Sequence, residues 1–405
     1  MTATAIDLFS GCGGFSLGFE RAGFDVLSAY DLWGPAIDTY RSNFKHPINE
    51  CDLSSERVLQ TADVIVGGPP CQGFSSAGLR REGDQRNTLI SVFAELVCLQ
   101  MPKAFVFENV EGFLTGQGGH FVFELLEPLI AAGYRIHLRK VNASNFGIPQ
   151  HRKRVLVIGG LGWNPSFPMH THSSVGAPGA SLLNGHAMPL SPSLGEALAD
   201  LPPATSRNDG PEICRLDHSF SPYNEADQVR AQHLKPGQRM RDLPEELWHE
   251  SYKKRANRRV RDGTPTERRG GAPSGLRRLS ANEPSKAITG GALREFVHPK
   301  EDRPLTIREC ARLQTFPDTF VFEGTQTEKI QMIGNAVPPR LAQIVAETLA
   351  RDLSRGASIS NGGGALLSFV PTSSSGMSPI LQEVTTKVSA KFHLTASAAQ
   401  GELCL

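Results

Sequence analysis

The chain has 405 residues, a formal net charge of +1, and 39% hydrophobic and 20% charged residues. That length holds two domains or one with a large insertion, the composition is that of an ordinary soluble globular protein, and the overall charge gives no sign of a polyanionic partner. The seven cysteines, odd in number and without a CxxC pair, argue against a disulfide framework or zinc cluster and fit a reducing cytoplasm; no basic-then-apolar leader opens the chain and no apolar run approaches about 18 residues, so neither a signal peptide nor a membrane span is expected.

Along residues 3–160, strand-like and helix-like stretches alternate. Ala3–Phe9 reads as a strand, Gly14–Ala22 as a helix, Asp25–Tyr30 as a strand and Pro35–Phe44 as a helix. The apolar run Ala62–Val66 is a strand, Leu89–Gln100 a helix, Lys103–Phe107 a strand and Phe121–Ala132 a helix, followed by strands Tyr134–Val141 and Arg154–Gly159. This rhythm predicts a mostly parallel sheet covered by helices. After Gly160 periodicity fades and Pro, Gly, Ser and His become frequent until about residue 285. Within that stretch Lys253–Arg278 carries ten Lys or Arg against two acids. Order returns at RPLTIRECARLQTFPD (303–318), and GNAVPPRLAQIVAETLARDL (334–353) reads as a turn feeding an amphipathic helix, with Pro338 and Pro339 at its start. From Ser354 onward the Ser-, Gly-, Thr- and Ala-rich composition predicts a flexible tail.

Two places carry chemistry. DLFSGCGGFSLGFERAGF (7–24) is strand, glycine turn, helix, a shape that lets a ligand approach the backbone. Ser16 stands where a full GxGxxG would place its third glycine, so a dinucleotide pyrophosphate is not the best fit. Asp31, about 20 residues on at the end of the next strand, is placed for ribose hydroxyls. Asp52 could accept from an adenine amino group. A nucleoside cofactor without phosphates fits, namely S-adenosyl-L-methionine, although the glycine turn alone is equally a tight strand-to-helix connection. The second place is GGPPCQGFSSAG (67–78), which puts Cys71 just past a strand end. Glu108-Asn109-Val110 follows the next strand. A thiol and a carboxyl at neighbouring strand ends suit a nucleophile and a proton donor, the minimum for covalent attack on a ring carbon of a heterocyclic base.

The blocks DLFSGCGG, GGPPCQGFSSAG, FENV, QHRKR (150–154), RPLTIRECARLQTFPD and GNAVPP stand in the order found in the DNA (cytosine-5) methyltransferases, and the chain resembles that family over most of residues 5–353 outside the middle region. The resemblance implies a Rossmann-like α/β methyltransferase sheet with a second, smaller and irregular target-recognition domain. It implies catalytic roles for Cys71, Glu108, Arg152 and Arg154, the two arginines orienting the base and its phosphate. It implies a cofactor site lined by Phe9, Gly11, Gly13, Asp31, Asp52, Leu53, Leu89 and Asn335. A mobile loop maps to about 72–87, with Gln72 and Ser75 on the DNA. One departure is that the family's acidic ribose ligand is often Glu followed by an aromatic residue, whereas here Asp31 is followed by Leu32 and then Trp33.

The expected division is a catalytic domain of residues 1–163 plus 326–354, a target-recognition domain of 164–325, and the tail 355–405. Arg277, Arg278 and the segment 289–294 are candidates for reading bases, and the basic stretch for holding phosphates. His170 and His172 lack further metal ligands nearby and read as loop, and no metal is expected. The expected partner is double-stranded DNA, bound by a monomer without a membrane, in a restriction-modification or phage-defence role with any endonuclease separately encoded. The alternatives are methylation of tRNA and a DNA-binding module that has lost catalysis; the long basic middle region favours DNA over tRNA, and the intact Cys71, Glu108, Arg152 and Arg154 favour an enzyme.

Overall fold

The computed structural model describes residues 2–55, 59–70, 89–174, 188–209, 216–250, 252–253, 275–356, 363–372 and 377–394. Cys71, Gln72 and Ser75, and most of the basic stretch, lie outside them.

The first half of the chain builds β1 (Thr4–Leu8), α1 (Gly14–Arg21), β2 (Asp25–Asp31), α2 (Gly34–Asn43), β3 (Ile48–Glu50), β4 (Val64–Gly67), α3 (Leu89–Gln100), β5 (Ala104–Asn109), α4 (Gly112–Thr115), α5 (His120–Ala131), β6 (Tyr134–Asn142), β7 (Gln150–His151) and β8 (Lys153–Leu161). An eight-stranded sheet runs from the C-terminal strand Ala365–Val370 through β6, β8, β5, β4, β1 and β2 to β3. Its ladders are parallel except for β8, which lies antiparallel between β5 and β6.

The central strands are continuous apolar runs because both faces are covered. Alternation along each strand decides which side chain serves which face. Ile6, Leu8, Ile65, Phe105 and Phe107 enter the core under α3 and α5. Ala5, Val64, Val66, Ala104 and Val106 enter the opposite core, which α1 and the helix Pro339–Ser354 cover. Those two helices meet closely: a Cβ on Gly14 would lie 2.2 Å from the Val337 carbonyl oxygen, and one on Gly18 would lie 2.4 Å from the Ala342 Cβ. GNAVPP thus docks beside the glycine turn, as its return in the sequence suggests.

A third core joins α2 and the glycine turn (Cys12, Ala36, Tyr40, Phe44) to Leu305, Ile307, Phe316, Phe320, Phe322 and Ile330. Packing is therefore continuous across the boundary expected near residue 325. A small separate core of Ala231, Leu234, Met240, Leu243, Leu276 and Val297 sits within the middle region.

The expected flexible tail needs correction. Ala365–Val370 pairs with β6, and Pro379–Lys391 is a helix whose Leu381, Val384 and Val388 are buried in the main core. The short β3 was not expected, and it extends the opposite edge of the sheet.

Candidate active site

Leu8 ends β1, and the chain then turns through Phe9 (φ 55°), Gly11 (φ 53°) and Gly13 (φ 91°) in the left-handed region. A non-glycine residue holds that conformation only where its surroundings enforce it, and Phe9 packs its side chain against the main core. Asp31, at the end of the neighbouring β2, stitches the turn. Its Oδ2 accepts from the Gly11 N–H at 2.7 Å, and its Oδ1 accepts from the N–H groups of Leu32 and Trp33 at 2.8 and 2.9 Å. Burial raises the Asp31 pKa, and these three donors oppose the rise.

Beneath the turn, Ser16 explains its own presence in the third-glycine position. Its N–H and Oγ donate to Asp7 Oδ2 at 3.1 and 2.6 Å, and the Tyr40 hydroxyl donates to Ser16 Oγ at 2.6 Å. Full burial pushes the Asp7 carboxyl up to about 7. No motif in the sequence pointed to this Asp7–Ser16–Tyr40 group, and the polar identity of Ser16 was its one signal.

The other expected cofactor residues gather at the same end of the sheet. Asp52 follows β3, is exposed, and accepts from the Ser54 N–H at 2.9 Å; the Ser54 side chain and that N–H lower its pKa. Leu53 is buried in the main core, and the partly buried Leu89 opens α3 against it. Asn335 is exposed at the end of the helix Gln326–Asn335, two residues before the Val337 carbonyl that faces Gly14. Trp33 packs against the third core, whereas Leu32 is 61% exposed.

One strand pair over, β4 and β5 run parallel with Gly67 opposite Phe107. Glu108 is buried at 6% exposure. A Cβ on Gly68 would lie 3.4 Å from Glu108 Oε2, and the Asn109 side-chain amide donates to the Pro69 carbonyl at 3.4 Å. Cys71, three residues beyond Gly68, lies outside the described residues. From β8, Arg154 brings its Nε to 2.8 Å from Glu108 Oε1. That N–H is not aimed at the oxygen, so Oε1 stays buried without a hydrogen-bond donor. A buried acceptor of this kind is costly unless a partner arrives.

Arg152 departs from its expected role. It is fully buried, its Nη1 donates to the Ile288 carbonyl at 3.0 Å, and its Nη2 donates to those of Gly334 and Ala336 at 2.8 and 2.9 Å. Its side chain ties β8 to the returning segments. Gln150 does the same work two residues earlier, donating to the Leu313 carbonyl at 3.0 Å and accepting from the Ile288 N–H at 2.9 Å.

Arg278 likewise departs from the base-reading role. It is buried and donates to the carbonyls of Ala231, Leu234, His298 and Glu301 at 2.7 to 2.9 Å, with Asp302 as its ionic partner. The adjacent Arg277 is half-buried, and that burial, with the charge of Arg239, lowers its pKa. Arg294 is exposed. In the block 303–318, Arg303 forms a bidentate pair with Glu309 at 3.0 and 2.8 Å, and Arg308 donates to three carbonyls. These arginines build the framework. Thr306 and Glu309 form the capping box that starts the helix Ile307–Leu313.

A parallel sheet interrupted by one antiparallel strand, with a carboxylate rather than a phosphate cradle at the glycine turn, defines a methyltransferase of the S-adenosylmethionine-dependent class. The sequence profile of the C-5 cytosine-specific DNA methylases matches residues 3–351. Type II methyltransferase M1.HphI of Haemophilus parahaemolyticus is 35% identical over 87% of this chain and 87% of its own. Type II methyltransferase M.HindV of Haemophilus influenzae is 33% identical over 85% of this chain and 95% of its own. The crystal structure of a putative DNA modification methyltransferase encoded within an E. coli prophage superposes with a TM-score of 0.63 at 25% identity, covering 87% of this chain and all of that one. The chain belongs to the C-5 cytosine-specific DNA methylase family. It is a DNA cytosine-5 methyltransferase, and its methyl donor is S-adenosylmethionine.

Proposed function

We propose that Cys71 and Glu108 form the reacting pair of this enzyme, that Arg154 holds Glu108, and that the target is a cytosine in a short sequence of duplex DNA. The buried, donor-less Glu108 Oε1 beside the turn that leads to Cys71 supports this most directly. A partner with an N–H or a protonated ring nitrogen satisfies that oxygen.

Cytosine C5 is a poor nucleophile. The Cys71 thiolate adds to C6 while Glu108, taking up a proton from solvent as the base binds, delivers it to N3, and the ring becomes an enamine that is nucleophilic at C5. S-adenosylmethionine supplies an electrophilic methyl group on a sulfonium, and Phe9, Gly11, Gly13, Asp31, Asp52, Leu53, Leu89 and Asn335 would hold it. A water molecule then takes the C5 proton, the electrons of that bond restore the C5–C6 double bond and expel the Cys71 thiolate, and N3 returns its proton to Glu108. A thiol with a pKa near 8.5 is only a few per cent ionised at neutral pH yet strongly nucleophilic. C5 and C6 are out of reach inside a duplex, so the cytosine must be flipped out.

Residues from 164 to about 290 would read the sequence, with Gln72, Ser75, Arg277 and the exposed Arg294 as DNA contacts. The enzyme would act as a monomer in the cytoplasm and protect host DNA in a restriction-modification system whose endonuclease is a separate chain. Relatives named as Type II methyltransferases support that setting.

Bisulfite sequencing of an unmethylated plasmid, incubated with S-adenosylmethionine and either this protein or its Cys71→Ala variant, tests the reading. Protected cytosines in one short recurring motif, absent with the variant, are expected. Full conversion with both proteins would overturn it.

A further inference from the structure

We propose that the C-terminal strand–helix unit, Ala365–Val370 and Pro379–Lys391, is a brace that positions the segment following Glu108 and thereby the carboxyl itself. The family profile ends at residue 351, so this unit lies beyond the part of the chain that the family shares. The inference rests on the assignment of Glu108 as the proton donor.

The segment in question leaves β5 at Asn109, makes the single turn of α4, and then passes through Gln117 (φ 46°), Gly118 (φ 66°) and Gly119 (φ 90°) before α5 begins. Three successive residues in the left-handed region, one of them not glycine, do not hold themselves. The helix Pro379–Lys391 packs on α4 and on this turn. Val384 fills the space beside Gly119 so closely that a Cβ there would lie 2.6 Å from Val384 Cγ2. The left-handed backbone and the missing side chain are thus both matched to one residue of the unit.

The unit is itself well anchored. Ser378 caps the helix by accepting from the Leu381 N–H at 3.3 Å, and Leu381, Val384 and Val388 lie on its buried face. Phe392 stacks on Phe123 with ring centroids 6.2 Å apart, and Lys391 pairs with Glu127 of α5 at 3.2 Å. On the strand, Leu366 and Phe369 enter the main core that also contains Phe107 and Phe113. Phe107 immediately precedes Glu108, and its ring lies 5.3 Å from that of Phe113 in α4. A line of packed side chains therefore runs from Val384 and its neighbours through α4 to the residue next to the carboxyl. On the other side of α4, Glu111 pairs with Lys140 of β6, and β6 is the strand that the unit borders.

The test uses the full chain and three conservative core variants. Val384→Ala removes the methyl groups that contact Gly119. Val97→Ala makes the same deletion in the same core near the far end of α3, and Val384→Ile restores bulk. Steady-state kcat and KM for DNA and for S-adenosylmethionine are measured well below the melting temperature of every variant. Val384→Ala is expected to lose on the order of tenfold in kcat with both KM values nearly unchanged, since small misplacements of a reacting group cost rate more than binding. Val97→Ala should lower the melting temperature without that loss, and Val384→Ile should recover kcat. Wild-type kcat in Val384→Ala, or equal losses in Val384→Ala and Val97→Ala, would overturn the brace. Glu108→Gln, assayed in parallel, separates the two ideas, because an active Glu108→Gln enzyme removes the premise whatever Val384 does.

Discussion

Arg154 Nε lies 2.8 Å from Glu108 Oε1, close enough for strong attraction yet misaligned for a hydrogen bond. The cation holds the carboxyl in place while leaving an acceptor position open. Replacing Arg154 with Ala should therefore reduce kcat by about 10²- to 10³-fold, the range for losing one preorganised hydrogen-bond donor, with a smaller effect on S-adenosylmethionine affinity. Steady-state kinetics beside isothermal titration with the cofactor would check this. Equal losses in kcat and in cofactor binding would show that Arg154 serves the fold instead.

Asp7 gives the protein a pH-dependent stability. Its carboxyl is raised to about 7 by burial, against about 3.9 in an unfolded chain. The folded state therefore binds a proton more tightly than the unfolded one. That contribution is fully present below pH ~4 and is lost as pH rises through about 7. The melting temperature should fall between about pH 4 and 7 for this reason, and Asp7→Asn, which mimics the protonated form, should flatten the profile. Parallel profiles for the two proteins would refute the account.

Arg278 is a hub of the middle region. Substitution by Ala leaves several carbonyls and Asp302 without their donor, and should cost about 3–5 kcal/mol of stability while leaving the recognised motif unchanged. Arg294→Ala should do the opposite. Denaturant melts of both variants, with bisulfite mapping of their products, distinguish framework from readout.

Removing residues 357–405 should expose the edge of β6 that Ala365–Val370 now pairs with. An unpaired strand edge invites pairing with a second chain. Size-exclusion chromatography of the truncated protein should show oligomers or aggregates, and a clean monomer would contradict the expectation.

The catalytic half was legible because its strands are apolar runs of fixed length, punctuated by glycine turns and separated by helices with one apolar face. Lys103–Phe107, for example, was expected as a strand and Ala104–Asn109 is observed. The C-terminal unit was misread for a local reason. ALLSFV and the Leu381, Val384, Val388 face are short signals set among Ser, Gly and Thr, and composition outweighed them. β3 has only three residues, too few to show a period. The arginines failed differently. Arg152 and Arg278 look like phosphate or base contacts because guanidinium groups so often are, but the carbonyls they hold lie far away in sequence, and only tertiary packing brings them together. Ser16 was noticed as a missing glycine, and its positive role needed the fold to place Asp7 beside it.

The Arg152 contacts also set a timetable. The side chain awaits carbonyls at Gly334 and Ala336, which are 182 and 184 residues further along. At ordinary elongation rates a ribosome needs roughly 10 to 40 s to supply that much chain. Throughout that interval the nascent polypeptide already contains the thiol and the carboxyl but cannot close the framework around them. Modification of DNA must therefore wait until translation has nearly finished.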